Sequence, residues 1–200
     1  ILEEIAMYED DPWDALEMAA LALFFGEHPY GRPVLGTPAS LARIGWAQLD
    51  SFHRRFHVPT NALIVVSGDL GPGALDAVAR HFETIAAPAA PSGGRLSHEL
   101  PKTPKGSARL ERRQGEVPRL LVILPAPASG DPDFASHRLL ATLLGGGRAS
   151  RLHRALVDEG QLCLSAAVDV IEADLPGALT ISCELLPAVA PERVEAVLFS

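Results

Sequence analysis

Apolar positions follow helical spacing through the first third of the chain and strand spacing through much of its second half. Residues 1–8 (ILEEIAMY) have helical content and are interrupted at Asp10-Asp11-Pro12. Asp11 as a cap, Pro12 at the first helical position and Asp14 three residues after the cap predict a second helix. Trp13, Leu16, Ala20, Leu23 and Phe24 share one of its faces, and Gly26 stops it. Residues 28–37 (HPYGRPVLGT), with two Pro and two Gly, read as a loop. Thr37-Pro38 starts a short helix, and Trp46, Leu49, Phe52, His53 and Phe56 space a longer one that ends before Pro59. Residues 61–67 (NALIVVS) read as a buried strand closed by Gly68-Asp69, and 75–85 as a helix that would cover a sheet.

Residues 86–107 are rich in Pro and Gly, lack periodic apolar signal and read as an interdomain linker. Beyond them the pattern becomes strand, strand, helix, helix, hairpin, helix. Strands are expected at 109–113 and 119–124 around Gly115. A helix capped by Asp131-Pro132 runs to Leu144 and ends at Gly145-Gly146-Gly147, and Ser150 caps another through Val157. Residues 162–171 and 178–186 form a hairpin around Asp174-Leu175-Pro176-Gly177, and Pro191 opens a last helix. Antiparallel strands with segregated helices make an α+β layout.

The 200 residues are 48% hydrophobic, enough for one large or two small cores. The net charge of −8 excludes a phosphate-backbone partner, which requires clustered Lys and Arg, so no nucleic acid is expected. Residues 1–36 carry eight Asp or Glu and one Arg, so special acidic chemistry is to be sought there. Apolar runs such as 19–25 and 120–126 fall far short of the ~20 residues of a membrane span. No signal peptide is visible, the chain opens without Met in mid-helix pattern, and the compartment stays open. Cys163 and Cys183 fall on neighbouring expected strands, where small buried thiols are the commoner outcome than a disulfide.

Complete catalytic signatures are absent: there is no His-Glu-x-x-His, His-x-x-Glu-His, Gly-x-Ser-x-Gly or Gly-x-x-x-x-Gly-Lys. The Gly145 triplet follows a helix and reads as its stop, not a phosphate cradle. His53 and His57 are four apart, a spacing that lets two imidazoles reach one metal ion, but no third ligand is near in sequence and Phe52 and Phe56 flank them, so surface or packing histidines are the plainer reading. His98-Glu99 opens no metal motif, because Lys102 stands at the next ligand position and Pro101 breaks the helix. Glu3 and Glu4, taken alone, read as a solvated helix face.

Three phrases in order, ILEEIAMYEDDP, HPYGRPVLGTPASL and LDSFHRRFHVPTNALIVVSGDL, followed by LLGGGRASRLHRALVDEGQL, resemble the pitrilysin-type zinc metallopeptidases, in particular their mitochondrial processing peptidase branch. The resemblance covers nearly the whole chain. It implies domains in which a mixed, mainly antiparallel sheet carries helices on one face: residues 1–90 as the C-terminal portion of the zinc-bearing domain, 91–105 as a linker and 106–200 as the following noncatalytic homologous domain, incomplete. It implies zinc held by two histidines and a glutamate. Glu4 falls on the third-ligand position with Glu3 beside it, and the two histidines and the general base of an inverted His-x-x-Glu-His motif would precede Ile1. A lone Glu4 cannot bind zinc tightly, so the chain by itself is expected to be metal-free and inert.

Active members supply an Arg and a Tyr for substrate from the later domain, and those positions fall here on Val157 and Leu164, which cannot donate the hydrogen bonds. Arg154 and Arg151, one and two turns earlier, read as surface charges. The resemblance implies a zinc endopeptidase acting on peptides or unfolded proteins, with the upstream part or a paired homologous subunit as partner. The alternative is a noncatalytic pseudo-peptidase that binds or scaffolds a catalytic partner. A domain that uses His53 and His57 for metal is the third reading.

Overall fold

The computed structural model describes residues 1–85, 99–102 and 106–200. The chain forms two compact units: residues 1–37 together with 99–200, and residues 38–98. Most of the expected linker, at 86–98 and 103–105, lies outside the described residues.

The larger unit begins with α1 (Leu2–Asp10) and α2 (Pro12–Phe25). Asp11 separates them as the sequence predicts. Its Oδ1 accepts from the amides of Trp13 at 2.8 Å and Asp14 at 3.0 Å, satisfying two donors that the first turn leaves open. Gly26 ends α2 at a φ of 56°, a left-handed conformation that disfavours side chains.

The sheet is β1 (Arg119–Ala126), β2 (Cys163–Ile171) and β3 (Gly177–Leu185), antiparallel throughout in the order β1-β3-β2. Leu120 lies opposite Cys183, and Val122 and Val168 flank Ile181. The two-residue period puts Leu179, Ile181, Cys183 and Leu185 in the core, where they meet Ala141 of α6 (Phe134–Gly145) and Val194 of α8 (Pro191–Leu198). Gly145 is confined by packing: a Cβ there would overlap the backbone nitrogen and side chain of Val168. The sequence shows it as a helix stop; the structure adds a close helix-to-strand approach. Between α6 and β2 a short helix α7 (Arg151–His153) continues as a π-turn over Arg154–Glu159 that buries Leu156 completely.

Glu184, alternating with buried Cys183 and Leu185, accepts from Trp13 Nε1 at 3.1 Å. The Arg119 guanidinium stands 5.6 Å from the Trp13 ring and 3.6 Å from the Glu184 carboxylate. This contact ties α2 to the sheet across 171 positions of sequence. At the hairpin turn, the Leu175 amide donates to the Tyr30 hydroxyl at 3.1 Å.

The smaller unit contains α3 (Pro38–Leu41), α4 (Trp46–Phe56) and α5 (Ala74–Phe82). Its expected strand at 61–67 is absent: the segment pairs with no strand among the described residues, and Leu63 and Val65 are 89% and 78% exposed. Branched apolar residues favour extended backbone, but only a hydrogen-bonded neighbour makes that backbone a strand.

Two further expectations are corrected. Residues 109–113 form no strand; Arg109 instead reaches Glu111 at 3.0 Å, Glu192 at 2.6 Å and Glu195 at 3.4 Å, so local charge pairing replaces a ladder. Ser150 stands at the start of α7, but its Oγ is buried and makes no capping bond. The α+β class, helices with a small antiparallel sheet, is the one observed.

Candidate functional site

Glu3 and Glu4 occupy the first turn of α1, where the open amides of a helix start favour carboxylates. Both are exposed, while Ile5 beside them is buried and anchors the helix. Nothing among the described residues bonds the Glu4 carboxylate, so it can turn toward an approaching cation. A catalytic zinc takes three protein ligands and one open position. No group of three or more His, Cys, Asp and Glu placed to hold a metal occurs among the described residues. The donors around Glu4 among the described residues therefore fall short of a three-ligand set and do not by themselves fit zinc.

Val157 and Leu164 each sit on a backbone irregularity of the larger unit. Val157 lies in the π-turn, half-buried against the core, and Leu164 lies in the bulge where the β2–β3 register shifts between Cys163 and Ser165. Bulges and π-turns re-aim side chains and concentrate at functional positions. Here Leu164 is half-exposed and apolar, and neither residue offers a donor. Arg154 pairs with Glu159 at 3.7 Å, and His153 stands 3.8 Å from Asp158, so this charged surface is largely matched within itself. No sequence signal marked the two irregularities, because a bulge and a π-turn are one-residue offsets without a residue type of their own.

The two cysteines are free and buried on adjacent strands. Burial, and next the neighbouring Cys163, push the Cys183 thiol up to about 12; burial also raises Cys163, partly offset by its hydrogen bond with Cys183. Thiols kept neutral in this way pack as small apolar groups and are poor nucleophiles. In the smaller unit His53 and His57 are exposed with their rings stacked, centroids 4.9 Å apart. Among the described residues no helix is long and apolar enough to cross a membrane.

Similarity to known proteins falls on this same arrangement. An uncharacterized zinc protease of Mycobacterium leprae is 35% identical over 94% of this chain and 42% of its own length. One of Mycobacterium tuberculosis is 36% identical over 94% of this chain and 43% of its own. The chain thus spans about two fifths of the relatives it matches. Among solved structures, a peptidase M16 inactive domain from Pseudomonas fluorescens superposes with a TM-score of 0.79 at 24% identity, over 99% of this chain and 48% of that one. A protease from Helicobacter pylori superposes at 0.77 with 18% identity, over 96% and 47%. At these identities both establish the fold alone. The sequence profile described as the peptidase M16 inactive domain matches residues 44–200, more than half of the chain, and the protein belongs to that family, the pitrilysin-type M16 peptidases.

Proposed function

We propose that this chain is a noncatalytic portion of a zinc-dependent metalloendopeptidase that cleaves peptides or unfolded proteins. The observation that carries the reading is the match to the M16 inactive domain in a chain whose longer relatives are named zinc proteases. Within it, residues 1–90 are the later portion of the zinc-bearing domain, 91–105 the linker and 106–200 the following homologous domain. The phrases that resemble the processing peptidases support that branch within the family.

Glu4 supplies the third zinc ligand. Its place on a helix anchored by Ile5 supports this, since a fixed helix can offer one carboxylate oxygen at a defined position. Zinc, when bound, activates a water for attack on the peptide carbonyl. Two histidines and the general base come from polypeptide ahead of Ile1, or a paired homologous subunit completes the site. The open apolar segment at 61–67 agrees with a zinc-bearing domain completed by such polypeptide.

Val157 and Leu164 favour a second reading, a pseudo-peptidase subunit that keeps the fold and binds or scaffolds a catalytic partner. Zinc analysis and unfolded-peptide cleavage by the full parent protein separate the two. Loss of both zinc and cleavage in Glu4→Gln supports the peptidase with Glu4 as ligand. A parent that binds no zinc and cleaves nothing leaves the scaffold.

A further inference from the structure

We infer that His53 and His57 form a two-histidine chelate for a divalent transition-metal ion at the C-terminal end of α4, separate from any zinc site that includes Glu4. Residues four apart on a helix lie one above the other. Here His53 is in the last turn of α4 and His57 is its C-cap, both exposed. Their ring centroids are 4.9 Å apart. Two imidazoles each bound through a nitrogen at about 2.0–2.1 Å, with about 90–110° between them at the metal, place their centroids about 4.5–5.2 Å apart. The helix thus holds the two rings within reach of one ion. The rings are close to parallel, 12° between planes, so binding requires them to swing until a nitrogen of each converges on one point. No hydrogen bond among the described residues opposes that movement at exposed side chains.

The surroundings favour a cation. The last carbonyls of a helix carry its negative partial charge. The two guanidiniums between the histidines are engaged elsewhere: Arg54 pairs with Asp50 at 3.0 Å, and Arg55 lies over the Phe56 ring, 5.1 Å from its centroid. Phe52 stands 6.0 Å from the His57 ring and walls one side without supplying a ligand. With no third protein ligand among the described residues, the remaining positions go to water or to a donor on a bound partner. Imidazole nitrogens and an open geometry select Cu2+ first, ahead of Ni2+ and Zn2+.

The test is calorimetric titration of the 200-residue chain with Cu2+, accompanied by NMR of the histidine rings. A one-to-one site is expected, with the ring signals of His53 and His57 broadening before those of the other five histidines. His53→Ala or His57→Ala weakens it about 100-fold, because the second ligand no longer adds intramolecularly. Glu4→Gln and His137→Ala leave it unchanged, which keeps this result distinct from the peptidase reading. The paired change His53→Arg with Arg55→His preserves composition and sets the imidazoles two apart, where they diverge; it abolishes the tight site while circular dichroism stays the same. Equal Cu2+ affinity in the paired variant, or first broadening at other histidines, overturns the chelate.

Discussion

The two units differ in what their apolar residues accomplish. In the larger, a three-stranded sheet closes against α6, α7 and α8, with Leu156, Cys183, Leu185 and Val194 fully buried. In the smaller, apolar residues have the same spacing but remain open: Trp46, Leu49 and Phe52 on α4, Leu63 and Val65 in the extended segment and Leu75 on α5 are all exposed, and Val58 alone is buried among its described apolar residues. Apolar periodicity is thus a statement about a surface, and burial depends on whether the opposing surface is present. An unpaired extended segment with consecutive exposed apolar side chains, Leu63 to Val66, is the kind of edge that natural proteins cover.

One substitution made in both units gives the widest separation. Leu156→Ala should destabilise the larger unit by about 2–5 kcal/mol, the usual result of emptying a filled core position, whereas Leu63→Ala should change unfolding of this chain by less than about 0.5 kcal/mol. Urea unfolding followed by circular dichroism measures both. A similar loss at the two positions would show that residue 63 is already covered and would erase the contrast.

Alkaline pH should act on the closed core through its thiols. Folded Cys183 holds its proton to about 12, against an ordinary value of 9.0. Between these values the unfolded chain has released a proton that the folded chain keeps, so stability is complete below about pH 9 and falls as pH rises. The slope is at most about 1.4 kcal/mol per pH unit. Cys183→Ala should flatten that decline in unfolding curves taken between pH 8 and 11, and an unchanged slope would remove the thiol from the account.

A smaller loss than at Leu156 belongs to the seam between α2 and the sheet. Trp13→Phe keeps an aromatic ring beside Arg119 but removes the indole donor to Glu184, and should cost about 1 kcal/mol in the same urea measurement. A neutral result would mean that the ring alone holds α2 in place.

Local rules carried much of this fold. The Asp11-Pro12 cap, the hairpin across Asp174-Leu175-Pro176-Gly177 and the helix opened by Pro191 were legible because each depends on a few adjacent residues. Residues 61–67 read as a strand on propensity, which cannot see whether a partner exists. The Trp13–Glu184 bond, the packing role of Gly145 and the bulge at Leu164 were invisible because they are made by residues distant in sequence or by offsets in pairing. For the candidate site, Glu4 emerged from a phrase and not from its own chemistry, since an exposed glutamate on a helix carries no mark of a ligand. The histidine pair was visible by spacing, and the structure added the ring separation that spacing alone leaves undefined.

The Trp13–Glu184 bond also has a consequence in time. At synthesis rates of about 5–20 residues per second, Glu184 emerges roughly 10–35 s after Trp13. Through that interval α2, whose sequence is almost wholly apolar from Leu16 to Phe25 apart from Glu17, has no sheet to rest on. Closing so long a loop also carries an entropic cost before any contact offsets it. Helix α2 is therefore the stretch of the larger unit that a chaperone has most reason to hold, and the last to find its place.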